Sequence, residues 1–169
     1  TPRACLAILL GHQNRNYRIL IVNDDSPEPA IEAHLASLAK SAGVTVLSNA
    51  INLGFVGSVN RALALIDGGD VVLLNADTLV PPGFVDRLKA TAALSDDVGT
   101  VVPLSNNSEI TDFPNPKGGN PLGSRDEVIR LERLAARSNH AAGVDLPNGP
   151  GLCLYITRAD RQAGWPLLD

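Results

Sequence analysis

Asn75 and Asp77 place an amide and a carboxylate two positions apart, directly after the apolar run Val71-Val72-Leu73-Leu74. A carboxylate can hold a divalent cation and an amide offers both donor and acceptor, so the pair suits a nucleotide diphosphate with a metal held by Asp77. Two further polar clusters follow β-rich stretches: Asn23-Asp24-Asp25 after Ile19 to Val22, and Asn52-Leu53-Gly54 after Val44 to Leu47. Each has a plainer explanation. Asp24 or Asp25 could cap a helix starting near Pro27, Asn52 could be a turn residue, and Asp77 could cap the segment before Pro81. Jointly they fit a nucleotide better, since a nucleotide needs partners for its base and ribose and a metal to offset its diphosphate charge.

Such residues are useful only if the chain delivers them to one edge. Val71 to Leu74, bounded by Gly68-Gly69 and Pro81-Pro82, reads as a strand buried on both faces. Thr1-Pro2 opens a helix that buries Leu6, Leu9 and Leu10 before Gly11. Ile31, Leu35, Leu38 and Ala42 recur at helical spacing ahead of Gly43, as do Phe55, Val59, Leu63 and Ile66 ahead of Gly68. Pro81-Pro82 starts a helix carrying Phe84, Leu88 and Ala92, and Val98 to Val102 resumes the sheet. This alternation predicts an α/β fold with a mainly parallel sheet and helices on both faces, in which the polar turns fall at strand C-terminal ends. From Pro103 to Gly123 the pattern gives way to Asn, Pro, Gly and Ser, a loop long enough to serve as an acceptor or lid loop. Ser124-Arg125-Asp126-Glu127 reads as a capping box before a helix through Val128, Leu131 and Leu134, and Val144 to Leu146 and Leu152 to Ile156 read as strands.

Composition narrows the classes. The 169 residues, 44% of them apolar, suffice for a single domain spanning 1–169 with one core. A net charge of −4 without any run of Lys or Arg gives no electrostatic footprint for nucleic acid. The apolar runs are too short to cross a bilayer, so a cytoplasmic or peripherally membrane-associated domain is expected. Cys5 and Cys153 have no partner at metal-ligand spacing and read as buried free thiols. His12, His34 and His140 are scattered, which gives no support to Ser-His or Cys-His catalysis. Trp165 reads as a partial core residue, with stacking on an acceptor sugar as the alternative. The sequence contains no Met and opens inside a helix, as a fragment would.

Four stretches in order, ILIVNDDS (Ile19 to Ser26), NLGFVGSVNRAL (Asn52 to Leu63), VVLLNADTLV (Val71 to Val80) and NGPGLCLYI (Asn148 to Ile156), resemble the inverting nucleotide-sugar glycosyltransferases of the GT-A fold, family 2. The resemblance implies transfer of a sugar from a UDP- or dTDP-sugar to a hydroxyl of a saccharide or lipid-linked saccharide acceptor. It also implies a place in polysaccharide biosynthesis, in the cytoplasm or at the inner face of the membrane. Carried over by position, Asn23 and Asp24 match the pair that reads base and ribose. Asn52 and Gly54, with Asn60 on the following helix, match the lining of the nucleotide pocket, and Asn75-Ala76-Asp77 matches the D-x-D motif. Asparagine at its first position adds no charge, so metal binding by Mg²⁺ or Mn²⁺ falls to Asp77 and the diphosphate. The same resemblance places a strand before the first helix and the catalytic base beyond Asp169, so the chain is expected to be truncated at both ends.

Two other readings use the same residues. A nucleotidyltransferase would share the α/β nucleotide pocket and the metal, although its Gly-rich phosphate loop with a basic residue is not seen. A non-catalytic nucleotide-sugar-binding module would keep the pocket and lack turnover.

Overall fold

The computed structural model describes residues 2–11, 16–108, 110–116, 118–139 and 142–163. They fall into two compact units, one of residues 16–69 and the other of residues 2–11 with 70–163.

The 16–69 unit runs β1 (Ile19–Asn23), α2 (Pro29–Leu38), β2 (Val44–Ser48) and α3 (Gly54–Leu63), following α1 (Pro2–Gly11) of the other unit in chain order. β1 and β2 pair in parallel, from Ile19 opposite Val44 to Asn23 opposite Ser48. Both strands therefore end at the same level, each with a polar residue last. The crossover returns through Gly43, whose φ of +72° suits a residue without Cβ and whose carbonyl receives Ile19 N–H at 2.8 Å. α2 packs against β2 and α3 against β1, and Ile19, Leu35, Ala62 and Leu63 are buried. α2 begins at Pro29, with Glu28 as its N-cap and no side-chain cap bond. Neither Asp24 nor Asp25 caps it, which leaves the β1 carboxylates to other partners.

The second unit adds β3 (Val71–Leu74), α4 (Phe84–Ala92), β4 (Thr100–Val101), α5 (Arg125–Asn139), β5 (Cys153–Ile156) and α6 (Arg158–Gln162) to α1. Its sheet has the order β3-β5-β4, with β5 antiparallel to both neighbours. The expected mainly parallel sheet is therefore corrected: among the described residues one strand pair is parallel and two are antiparallel. β5 arrives after the long loop and α5 and takes the position between β3 and β4. It can do so because all four of its residues, Cys153, Leu154, Tyr155 and Ile156, are buried, so both faces of the strand are covered. The same unit also buries Cys5, Ile8, Leu9, Val71, Val80, Phe84 and Leu88.

Four local expectations also change. Val144 to Leu146 forms no strand, and Val144 is 78% exposed. The strand from Val98 to Val102 shrinks to Thr100–Val101: Val98 N–H closes a turn on Ser95 O at 3.2 Å, and Gly99 O takes Thr157 N–H at 2.9 Å one step along the β4–β5 ladder. α4 starts only at Phe84, since Gly83 precedes it in the left-handed conformation, φ +73°. Ser124 does accept Glu127 N–H at 3.2 Å, but the Glu127 carboxylate pairs with Arg130 at 2.7 Å instead of closing the box. α5 buries none of its residues.

The 103–123 segment is held by its own polar groups. Asp112, 8% exposed, accepts Ser108 N–H at 2.5 Å, and Asn115 and Asn120 exchange backbone-to-side-chain bonds of 3.0 and 2.9 Å. Asn106 Nδ2 reaches Asn120 O at 3.2 Å, and Phe113–Pro114 is cis.

Candidate functional site

In the 16–69 unit the polar ends of β1 and β2 meet the first turn of α3. Asp24 Oδ1 accepts Leu53 N–H at 2.8 Å and Asn49 Nδ2 at 2.7 Å, and Asp24 O accepts Asn52 Nδ2 at 3.3 Å. Asn52 Oδ1 in turn accepts Gly54 N–H at 3.1 Å, and Gly54 holds φ +70°, where a side chain would be strained. The negative charge thus sits where the open N–H groups of α3 begin, a favourable position for a carboxylate. The Leu53 N–H, then the Asn49 amide, with lesser help from Ser58 and Gly54 and against some desolvation, hold the Asp24 carboxyl below its ordinary 3.8. Asn23 turns its Oδ1 to Ser26 N–H at 3.2 Å, closing the loop after β1.

Asp24, Asn52 and Gly54 are brought together, whereas Asn60 is exposed and bonds to none of them through its side chain. Helix geometry accounts for this: at about 100° per residue, Asn60 lies about 200° round α3 from Ser58, which faces the cluster. Three members were not anticipated from the sequence, namely Asn49, Ser58 and Arg61. Asn49, 6% exposed, donates to Ser58 Oγ at 2.8 Å and accepts from Arg61 Nη1, which also reaches Ser48 O at 2.9 Å. The signal was present, because Ser48-Asn49 closes β2 just as Asn23-Asp24 closes β1, and Ser58 and Arg61 are spaced to share a helix face.

In the other unit Asn75 continues the β3 ladder by donating its N–H to Leu152 O at 3.0 Å. Its carbonyl accepts Thr78 N–H at 3.1 Å, which closes a turn over Ala76 and Asp77. Asp77 is exposed on that turn and its carboxylate takes no hydrogen bond from any described residue. It does not cap α4, whose N-cap is Gly83. Cys5, on α1, places its Sγ 3.8 Å from Asn75 O. Burial and then the Asp77 charge push its thiol up, and burial pushes Cys153 up to about 12, so both are inert free thiols as expected.

Among the described residues no three His, Cys, Asp or Glu side chains gather into a metal cage. One free, exposed carboxylate nevertheless fits Mg²⁺ or Mn²⁺ bound chiefly through substrate phosphates and water, the usual arrangement for a small hard cation. His34 stands on α2 with its Nε2 buried and without a described hydrogen-bond partner, away from any nucleophile arrangement. His12, His140, Trp165 and Asp169 lie outside the described residues.

Residues 3–145 match the family model described as Glycosyl transferase family 2. The chain belongs to this family. Membership implies the GT-A α/β fold and supports sugar transfer in general, which favours that chemistry over nucleotidyl transfer. The chain is also 23% identical over 94 residues to a protein of Haemophilus influenzae named "Uncharacterized glycosyltransferase". That similarity covers 55% of this chain and 29% of the relative, so the chain spans well under half of the relative's length.

Proposed function

We propose that this family 2 chain binds a UDP- or dTDP-sugar and transfers the sugar, with inversion, to a hydroxyl of a saccharide or lipid-linked saccharide acceptor. In this reading Asn23 and Asp24 take the base and ribose, with Asn52, Gly54 and Asn60 lining the nucleotide pocket. Asn75 hydrogen-bonds a ribose or sugar hydroxyl, and Asp77 holds Mg²⁺ or Mn²⁺ on the diphosphate. The observation that carries it is the Asp77 carboxylate, exposed on the turn that ends β3 and unclaimed by any described donor.

The acceptor oxygen bonds to the anomeric carbon as the bond from that carbon to the diphosphate oxygen breaks, and the acceptor proton passes to a general base not assigned among the described residues. A bound divalent ion would supply Lewis-acid neutralisation of the charge on the departing diphosphate. Asp77 fixes where that neutralisation happens, and Asp24, already ionised and held by two donors, fixes the nucleoside end. The reaction belongs, on the same reading, to polysaccharide biosynthesis at the cytoplasmic face of the membrane. No helix among the described residues is long and apolar enough to cross a membrane.

The reading is tested by incubating the full chain with UDP- and dTDP-sugars and Mn²⁺ and following release of nucleoside diphosphate with a panel of saccharide acceptors. Acceptor-dependent release supports transfer. Binding without release supports a non-catalytic nucleotide-sugar module.

A further inference from the structure

Asn49 joins a cation on α3 to the carboxylate after β1. Its backbone N–H donates to Asn23 O at 2.9 Å, which locks the residue beside the end of β1. Its side chain then faces two ways: Nδ2 meets Asp24 Oδ1 and Ser58 Oγ, and Oδ1 meets Arg61 Nη1. A guanidinium has only donors, so whatever faces it must be the amide oxygen. The NH₂ is thereby turned on Asp24, an acceptor that needs it. The chemistry is directional, because a carboxylate at this position would confront Asp24 with like charge and an apolar side chain would leave both Asp24 and Arg61 a partner short.

We propose that Asn49 and Arg61 are positioning residues for Asp24: the Arg61 cation fixes the orientation of the Asn49 amide, and the amide fixes the Asp24 carboxylate on the first turn of α3. Its consequence for ligand affinity rests on the reading of Asp24 as a nucleotide-binding residue. A carboxylate oriented before the nucleotide arrives spares the ordering that would otherwise weaken binding. The groups around Asp24 are few. The turn after β2 offers Asn49, Asn52 and Leu53, and α3 offers Gly54, Ser58 and, through Asn49, Arg61. The neighbouring carboxylate Asp25 is exposed, with φ +56°.

The test compares wild type with Asn49→Leu, Arg61→Gln and Arg61→Lys in the full chain. The Asp24 side-chain carboxyl is followed by ¹³C NMR from pH about 2 to 7, alongside titration with UDP and dTDP in Mn²⁺. The expected result is an Asp24 titration that moves up toward the ordinary 3.8 in Asn49→Leu and Arg61→Gln, and is largely restored in Arg61→Lys, with Asp70 in the other unit unmoved. Nucleotide affinity should fall about tenfold in step with it. An Asp24 titration that stays put in both variants overturns the proposal, and Arg61→Gln, at an exposed position, supplies the answer even if Asn49→Leu does not fold. Asp24→Asn separates the two levels: if it binds nucleotide as wild type does while the Asp24 titration shifts as expected, the nucleotide reading fails and the positioning stands.

Discussion

The Asp24 carboxylate accepts the Leu53 N–H at 2.8 Å across 29 residues of sequence, so the residue after β1 holds the start of α3. A group that could from sequence have capped the helix that follows it instead serves the helix after next. This places one ionised oxygen at the polar edge of the β1–β2 pair.

Removing that carboxylate should loosen the turn before it does anything else. In Asp24→Ala, hydrogen exchange at Leu53 and Gly54 N–H is expected to speed up at least about tenfold, with Val72 and Leu73 in the other unit unchanged. Because the folded carboxyl titrates below 3.8, its contribution to stability is present above that value and is lost as pH falls through the lower, folded one. Urea midpoints should therefore drop more steeply below pH about 4 in wild type than in Asp24→Asn.

Tyr155, 3% exposed, donates to Asp70 Oδ2 at 2.5 Å, and Arg158 N–H meets the other oxygen at 2.8 Å. Burial alone would raise the Asp70 carboxyl, but these two hydrogen bonds and the Lys89 charge hold it low. Burial and then the Asp70 hydrogen bond and charge push the Tyr155 hydroxyl well above its usual 10. Tyr155→Phe should cost about 1.5 kcal/mol in urea unfolding. In wild type this contribution is present below pH about 10 and is lost as pH rises through the raised folded value, a loss the variant should not show.

Ile156, 1% exposed, pairs with Val71 on one side and Thr100 on the other. Ile156→Ala should cost about 3 kcal/mol, whereas Val144→Ala, at a 78% exposed site, should stay within about 0.5 kcal/mol. Equal costs at the two positions would contradict the assignment of β5 to the centre of its sheet and of 142–147 to its surface.

What the sequence disclosed follows from how local each signal is. The βαβ unit from Ile19 to Leu63 could be read because strand, turn and helix periodicity change within a few residues, and Leu35, Leu63, Phe84 and Leu88 are buried where that periodicity put them. The place of β5 could not, because pairing with Val71 and Thr100 is decided by packing between segments far apart in the chain. Asn23, Asp24, Asn52, Asn75 and Asp77 announced themselves as polar residues closing apolar runs. Asn49 carries the same mark, but its partners Ser58 and Arg61 are reached only once α3 has its pitch.

The central claim, that Asp77 holds a divalent ion on a nucleotide diphosphate, is tested most directly by calorimetric titration of UDP and dTDP in the presence and absence of Mn²⁺, in wild type and in Asp77→Ala. Wild type should give an isotherm that needs the metal, weakened at least about tenfold in the variant. Metal-independent binding of equal strength in both proteins would contradict it.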